Sequence, residues 1–292
     1  MQEFHFTTWC LSRSNRSSDI TISVFTDEIN RQSPARALEL AREWQVDYVE
    51  VRSLVSGRFP NVDDHELEDI VRLITDSGVA VSAVSPGFCK GPVDDPGVAT
   101  SISEGLPKAC KWARRLGTEL ISCFAFSRTD DGLAPAAVTS RVREMAAIVE
   151  DHGCRLVLEN EATSWAATGI EALAIINETG ADKVGLCWDP GNAARAGSAA
   201  PFPDEYELIK SHVAHVHVKN YNQDTGNWSL ADVGTVDWKG QMAALKRDGY
   251  AGHVVVETHT DISPDTFAVV EQGLSSLERN TLHNLKFVRQ LV

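Results

Sequence analysis

Four apolar runs in this 292-residue chain end on a carboxylate or a histidine, and that pattern limits the possible folds more than any other feature of the sequence. In Arg155-Leu156-Val157-Leu158-Glu159 the residues before the glutamate suit a buried strand. Val184-Gly185-Leu186-Cys187-Trp188-Asp189, His215-Val216-His217-Val218-Lys219 and His253-Val254-Val255-Val256-Glu257 repeat the design. Near-continuous Val/Ile/Leu runs mark parallel strands buried on both faces. A charge at the end of such a run costs stability unless something binds it. Glu159, Asp189, His217 and Glu257 are therefore expected to meet around one divalent ion.

Similar runs come earlier, at Ile20 to Phe25, Tyr48 to Val51, Val79 to Val84 and Glu119 to Phe124, which makes eight strands in all. Between them apolar residues recur at helical spacing, as in Ala37, Leu38, Leu40 and Ala41, or Leu67, Ile70, Val71, Leu73 and Ile74. Ser33-Pro34 reads as a helix start, with serine as the cap and proline in the first turn. Gly78, Gly117, Gly153, Gly180 and Gly249 each fall where a helix should stop, because glycine takes the left-handed cap conformation without strain. Strand–helix alternation predicts a parallel sheet with right-handed crossovers. Eight such units predict an α/β fold closed into a single (β/α)8 TIM barrel. It is expected to span residues 19–292 behind a short N-terminal extension, residues 1–18, with Pro264 to Leu291 as the closing helix. An open doubly wound sheet is the rival, but no GxGxxG follows an early strand to support it.

The chain carries 41 acidic and 27 basic residues, a formal net charge of −14. That disfavours nucleic acid, whose phosphates need Lys and Arg to neutralise them, and it disfavours anionic membrane surfaces. No apolar run approaches the roughly 18 residues of a membrane helix. Met1 to Ser18 lacks the basic head and apolar stretch of a secretion signal. The six cysteines form no CxxC pair and several lie in strand-like runs. They read as reduced residues of a cytoplasmic protein.

In a (β/α)8 barrel the C-terminal ends of the strands converge on one face. Three carboxylates in a dry pocket raise one another's pKa unless a cation is present. Mostly oxygen ligands with one histidine suit Mn²⁺ first, with Mg²⁺, Co²⁺ and Zn²⁺ as alternatives. Several neighbours are candidate substrate contacts. Arg52 follows Glu50 at the end of the second strand, where a structural pair is the alternative. Glu161 reads as a base, an orienting group or a loop residue, and Asn192 stands three after Asp189. Lys219 falls on the same side as His217, where it binds an oxyanion or makes a surface salt bridge. His215 is expected to point away from His217, as a substrate contact or a satisfied core histidine. Trp188, like Trp165, Trp228 and Trp238, lies near the expected top loops, where rings stack on sugars; core packing is the alternative. Asp27-Glu28 sits at the first strand's mouth, with an N-cap role as the alternative.

Taken in order, Phe25-Thr26-Asp27-Glu28, Leu158-Glu159-Asn160, Trp188-Asp189-Pro190-Gly191-Asn192, His215-Val216-His217-Val218-Lys219-Asn220 and Tyr250 through Val256-Glu257-Thr258-His259 carry a family likeness. The chain resembles the sugar phosphate isomerase/epimerase superfamily of xylose isomerase-like barrels, from about Ile20 to Val292. The resemblance implies a divalent-metal-dependent isomerase or epimerase, with Glu159, Asp189, His217 and Glu257 as ligands. Its substrate would be a small molecule, a keto sugar or related polyol. Glu159 and Glu257 would lie on opposite faces of the sugar carbon. One would remove a proton next to the carbonyl and the other return one, by way of an enediolate. The chain departs from the pattern at Glu161 and Asn192, where relatives often carry histidine, and at Asn220, where they often carry aspartate. Relatives on this barrel include lyases that dehydrate inososes or dehydroshikimate, or cleave C-glycosides, so a lyase is the alternative. An endonuclease IV-like phosphodiesterase would need more histidines and a basic groove, and a non-catalytic sugar-binding barrel would not need both glutamates. The oligomeric state is left open, a homo-oligomer included.

Overall fold

β-branched residues stiffen the chain into extended backbone, and a run that is apolar on both faces must be covered on both. The computed structural model describes residues 20–130, 132–180, 184–260 and 273–292. In it eight such runs pair in parallel: β1 (Thr21–Phe25), β2 (Tyr48–Val51), β3 (Ala80–Val84), β4 (Leu120–Cys123), β5 (Arg155–Glu159), β6 (Val184–Trp188), β7 (Val213–Val218) and β10 (His253–Val256). A short antiparallel hairpin, β8 (Asn220–Asn222) with β9 (Asn227–Ser229), stands between the last two. The ring closes in the order β1-β10-β7-β6-β5-β4-β3-β2. Closure is made by β1, whose Val24 pairs with Val49 on one side and Val256 on the other. This is the expected TIM barrel. The expected extension, residues 1–18, and the stretch holding Phe267, Val269 and Val270 lie outside the described residues.

Helices fill the outer layer with the caps read from the sequence. The helix Pro34–Glu43 opens on Ser33, whose Oγ accepts from Arg36 N at 3.1 Å. The helix Asp64–Ser77 buries Leu67, Ile70 and Ile74 and stops at Gly78, with φ of 72°. Capping boxes, Thr168 with Glu171 and Ser275 with Glu278, open the helices Gly169–Thr179 and Ser276–Arg289. The second of these is the described part of the closing helix, and it buries Leu282, Leu285 and Val288.

The hairpin was not foreseen. Its anchor is Asn220, which donates from Nδ2 to Ala231 O and Val236 O at 3.0 and 3.2 Å and accepts at Oδ1 from Val236 N at 3.0 Å. That one side chain ties a loop of irregular backbone to the end of β7. The loop carries Trp228 to the barrel mouth.

Candidate metal centre and substrate pocket

β5, β6, β7 and β10 are consecutive in the ring, so their C-terminal residues come together. Ligand atoms of Glu159, Asp189, His217 and Glu257 all lie within 4.8 Å of one another, and all four residues are buried. His217 Nδ1 is 3.3 Å from Glu159 Oε1 and 3.6 Å from Glu257 Oε2. No neighbour meets hydrogen-bond geometry at His217 Nδ1 or Glu257 Oε2, although Lys219 Nζ lies 3.3 Å from the latter. Buried polar atoms without partners are rare and costly, and these two face a common point beside two further carboxylates. A divalent cation satisfies them, so the residues present fit an oxygen-rich metal site. Cys187 also lies within reach of Glu159 and His217. Burial pushes its thiol up to about 12, and Mn²⁺ and Mg²⁺ prefer carboxylate to the softer thiolate.

Charge crowding points the same way. Burial pushes Asp189 up to about 6, with Glu257 and Glu159 adding to the shift against the pull of Lys219. Burial acts on Glu257 too, but Lys219 and Arg52 outweigh it and hold this carboxyl well below the usual range. Burial alone would lower the His217 imidazole; Cys187 and the carboxylates of Glu159 and Glu50 lift it above its ordinary value. Burial would likewise raise Glu159, but His217 and Lys219 hold it below its ordinary value. Of the four, His217 and Asp189 are the ones pushed toward their protonated forms, and metal binding would release a proton from the imidazole.

Neighbouring side chains hold the four in place. Asn160 clamps the end of β6 from both sides: its Nδ2 donates to Asp189 O and its Oδ1 accepts from Asp189 N, each at 2.8 Å. Asn192 Nδ2 donates to Asp189 Oδ2 at 2.9 Å and Asn160 O at 3.0 Å. Lys219 Nζ stands 2.9 Å from Asp189 Oδ2 and 3.3 Å from Glu257 Oε2. Arg52 donates from Nε to Asp27 at 2.9 Å, from Nη1 to Glu257 at 2.6 Å, and from Nη2 to Glu28. Glu50 on β2 reaches across the lumen to β7, where it accepts from His215 Nε2 at 2.7 Å and lies 3.4 Å from His217 Nε2.

Several expectations need correction. His215 and His217 do not point oppositely; residues two apart on a strand share a face, and both turn inward to Glu50, their rings 5.4 Å apart. His215 is thus a buried histidine held by Glu50 rather than a substrate contact. Trp188 is also misplaced: it lies with Val184 and Leu186 on the outer face of β6, fully buried, and its Nε1 donates to Gln241 Oε1 in the helix layer at 3.0 Å. Trp165 and Trp238 are buried as well, and of these four only Trp228 lines the cavity. Glu50 and Arg52 do not pair with each other; each has its own partners. Lys219 makes a buried bridge, not a surface one. Asp27 and Glu28 lie buried in the short helix Thr26–Ile29, tied to Arg52 instead of capping.

The cluster floors a cavity of about 620 Å³ that opens at the C-terminal face. Arg52, Lys219, Asn192 and Glu161 line it. Glu161 accepts from Thr163 N at 3.1 Å and faces Arg195 at 3.8 Å. His259, Arg58 and Lys90 also line the cavity and escaped sequence reasoning. His259 has φ of 53°, and its ring lies 5.0 Å from that of Trp228. His259 N donates to Glu28 Oε2 at 3.0 Å.

The sequence model of the xylose isomerase-like TIM barrel family matches residues 38–291, and the chain belongs to that family. Solved structures with the same fold include D-allulose 3-epimerase from Methylomonas sp. in complex with D-allulose, 18% identical, TM-score 0.70, with 94% of this chain and 97% of that one covered. A xylose isomerase-like TIM barrel protein from Mycobacterium smegmatis in complex with magnesium is 20% identical, TM-score 0.68, with 95% and 98% covered. The probable 3-DHS dehydratase AsbF of petrobactin synthesis in Bacillus anthracis is 14% identical, TM-score 0.73, with 92% and 99% covered. At these identities the likeness shows the fold. An uncharacterized protein of Methanocaldococcus jannaschii, MJ1311, is 27% identical over 121 residues, 40% of this chain and 41% of that protein. Among the described residues no helix is long and apolar enough to cross a membrane.

Proposed function

We propose that this chain is a divalent-metal-dependent isomerase or epimerase that moves a proton on the carbon next to the carbonyl of a keto sugar or related polyol. One observation carries this reading: Glu159 and Glu257 come from two different strands to a single cation-binding point at the floor of an open cavity. Two carboxylates aimed at one reacting carbon from two directions can take a proton from one face and return it to the other. Glu159, Asp189, His217 and Glu257 would hold the ion, Mn²⁺ in first place. When bound, a divalent ion supplies stabilisation of the negative charge that develops on the substrate oxygen. Lys219 and Arg52 keep Glu257 ionised. Asn192 and Asn160 fix Asp189 and the ends of β5 and β6. Trp228 lines the cavity's edge, with Lys219 Nζ 4.7 Å from the centre of its ring. The solved relatives named as sugar epimerases, and the one holding magnesium, support the same reading.

Deuterium exchange from D₂O into a panel of ketoses, with Mn²⁺ added, tests it. Glu159→Gln and Glu257→Gln are each expected to lose about 10²–10⁴-fold in exchange rate, the size of one acid–base group's contribution. Normal exchange in Glu159→Gln would remove the mechanism. An unsaturated product seen by ultraviolet absorbance would replace the isomerase with a lyase.

A further inference from the structure

The wall of the cavity divides by arc. β5, β6, β7 and β10 carry the acids and the imidazole, and the loops after β2, β3 and β4 complete the opposite side. Arg58 enters from that side on a tight turn, closed by a Ser53–Arg58 bridge and by Leu54 N donating to Gly57 O at 2.8 Å. Its Nε donates to Ser85 O at 3.1 Å, which leaves the edge formed by the two Nη groups. Gly87 makes room for this side chain: a Cβ there would stand 2.7 Å from Arg58 Nε. With φ of 74°, Gly87 also occupies backbone space that other residues avoid. Lys90 comes from the loop after β3, and its ammonium lies 4.2 Å from the centre of the Phe124 ring.

Neither Arg58 nor Lys90 has a carboxylate partner among the described residues. Several surface arginines of this acid-rich chain are paired: Arg72 with Asp69, Arg115 with Glu68, Arg141 with Glu144 and Arg247 with Glu207. Arg114, Arg143 and Arg289 donate to backbone carbonyls instead, and none of them lines this cavity. Inside the pocket, Arg52 and Lys219 are neutralised by Asp27, Glu28, Asp189 and Glu257. Burial pushes Arg58 down to about 10, with Arg52 adding to the shift, so it is still a cation at neutral pH. This half-buried guanidinium, held on a built shelf, feels Asp27, Glu159 and Glu257 only from beyond ion-pair distance, and Lys90 near it is exposed. It is an arrangement suited to an anion that arrives with the ligand.

We propose that Arg58 and Lys90 form an anion-binding end of this pocket, and that the substrate is a keto sugar or polyol bearing a carboxylate or phosphate on the end far from its reacting carbon. The free guanidinium edge suits two parallel hydrogen bonds to such a group, and Lys90 adds a mobile point charge. Which end of the substrate faces Glu159 and Glu257 rests on the reaction proposed above; the anion site stands on Arg58 and Lys90 themselves.

Calorimetric binding to the Mn²⁺-loaded protein tests this with D-fructose, D-fructose 6-phosphate and D-fructuronate, and with the matching D-tagatose series. In at least one series a charged member is expected to bind about tenfold tighter or more than its neutral parent, the scale of one charge-assisted hydrogen bond. Whether the phosphate or the acid gains more identifies the group. In the double variant Arg58→Ala, Lys90→Ala the advantage should vanish while neutral sugars bind as before. The inference is overturned if no charged member binds tighter than its parent, or if the double variant keeps the preference; the first comparison needs no variant. Exchange and binding separate the two proposals. Charge preference without deuterium exchange would uphold the anion site and refute proton transfer, and exchange on neutral sugars without charge preference would do the reverse.

Discussion

Arg52 spends all three of its donor groups on carboxylates, and its guanidinium carbon lies 4.4 Å from the centre of the Phe25 ring. Removing one member of such a buried ionic set leaves the others uncompensated, at a cost of about 3–5 kcal/mol. Arg52→Ala is expected to lose that much stability in urea unfolding at pH 7, and Arg52→Lys to recover little, because an ammonium lacks the planar fork. The deficit should depend on pH. Burial alone would raise Glu28, but Arg52, helped by His259, outweighs it and holds this carboxyl at about 2, below its ordinary 4.5. A depressed carboxyl stabilises the fold above its unfolded pKa, and that contribution fades as pH falls through the folded value. For Glu28 it amounts to roughly 3 kcal/mol, lost between about pH 4.5 and pH 2. The gap between wild type and Arg52→Ala should therefore narrow across that window. A gap that stayed constant would mean that Glu28 does not depend on Arg52.

At the scale of elements, the join between β6 and the helix Pro190–Arg195 positions one of the four ligands. Asp189 caps this helix, its Oδ1 accepting from Asn192 N at 2.9 Å. Gly191 lets the helix lie against β7, since a Cβ would stand 2.8 Å from Lys219 O. Gly191→Ala is expected to cost about 1–3 kcal/mol by overpacking and to weaken Mn²⁺ binding, both readable in one variant by urea unfolding and metal titration; unchanged metal affinity would show that the two elements are not coupled here. This join also shows what the sequence makes legible. Strand ends could be read because an apolar run that stops on a charge is a local signal, and barrel closure turns four local signals into one place. Helix stops at Gly78 and Gly180 were equally local. Glu50's reach to His215, Arg52's links to β1 and β10, and the unpaired state of Arg58 were not, since they depend on which strands face each other across the ring. The inward turn of His215 and the outward turn of Trp188 could have been read from strand alternation, counted correctly. The β8–β9 hairpin rests on Asn220, a single polar residue with no periodic pattern around it.

For the whole molecule, an ion that binds the folded chain and not the unfolded one adds stability by mass action, about 2.7 kcal/mol at a hundredfold excess over Kd. Adding Mn²⁺ to EDTA-treated protein is expected to raise Tm by about 5–10 °C, and Asp189→Ala to abolish the rise. Equal melting with and without metal would show that the four ligands hold no ion. Every one of those ligands comes from β5 onward, whereas Asp27, Glu28, Glu50 and Arg52 come from β1, β2 and the short helix between them. A fragment starting at β5 would own the whole coordination set, with Lys219 beside Glu257 and Glu159 beside His217, but would lack Arg52 and Glu50, the partners that reach these two ligands from the other half of the ring. The two halves are stitched through the lumen by ion pairs as well as along their edges by backbone hydrogen bonds, so the centre in one half leans on side chains delivered by the other.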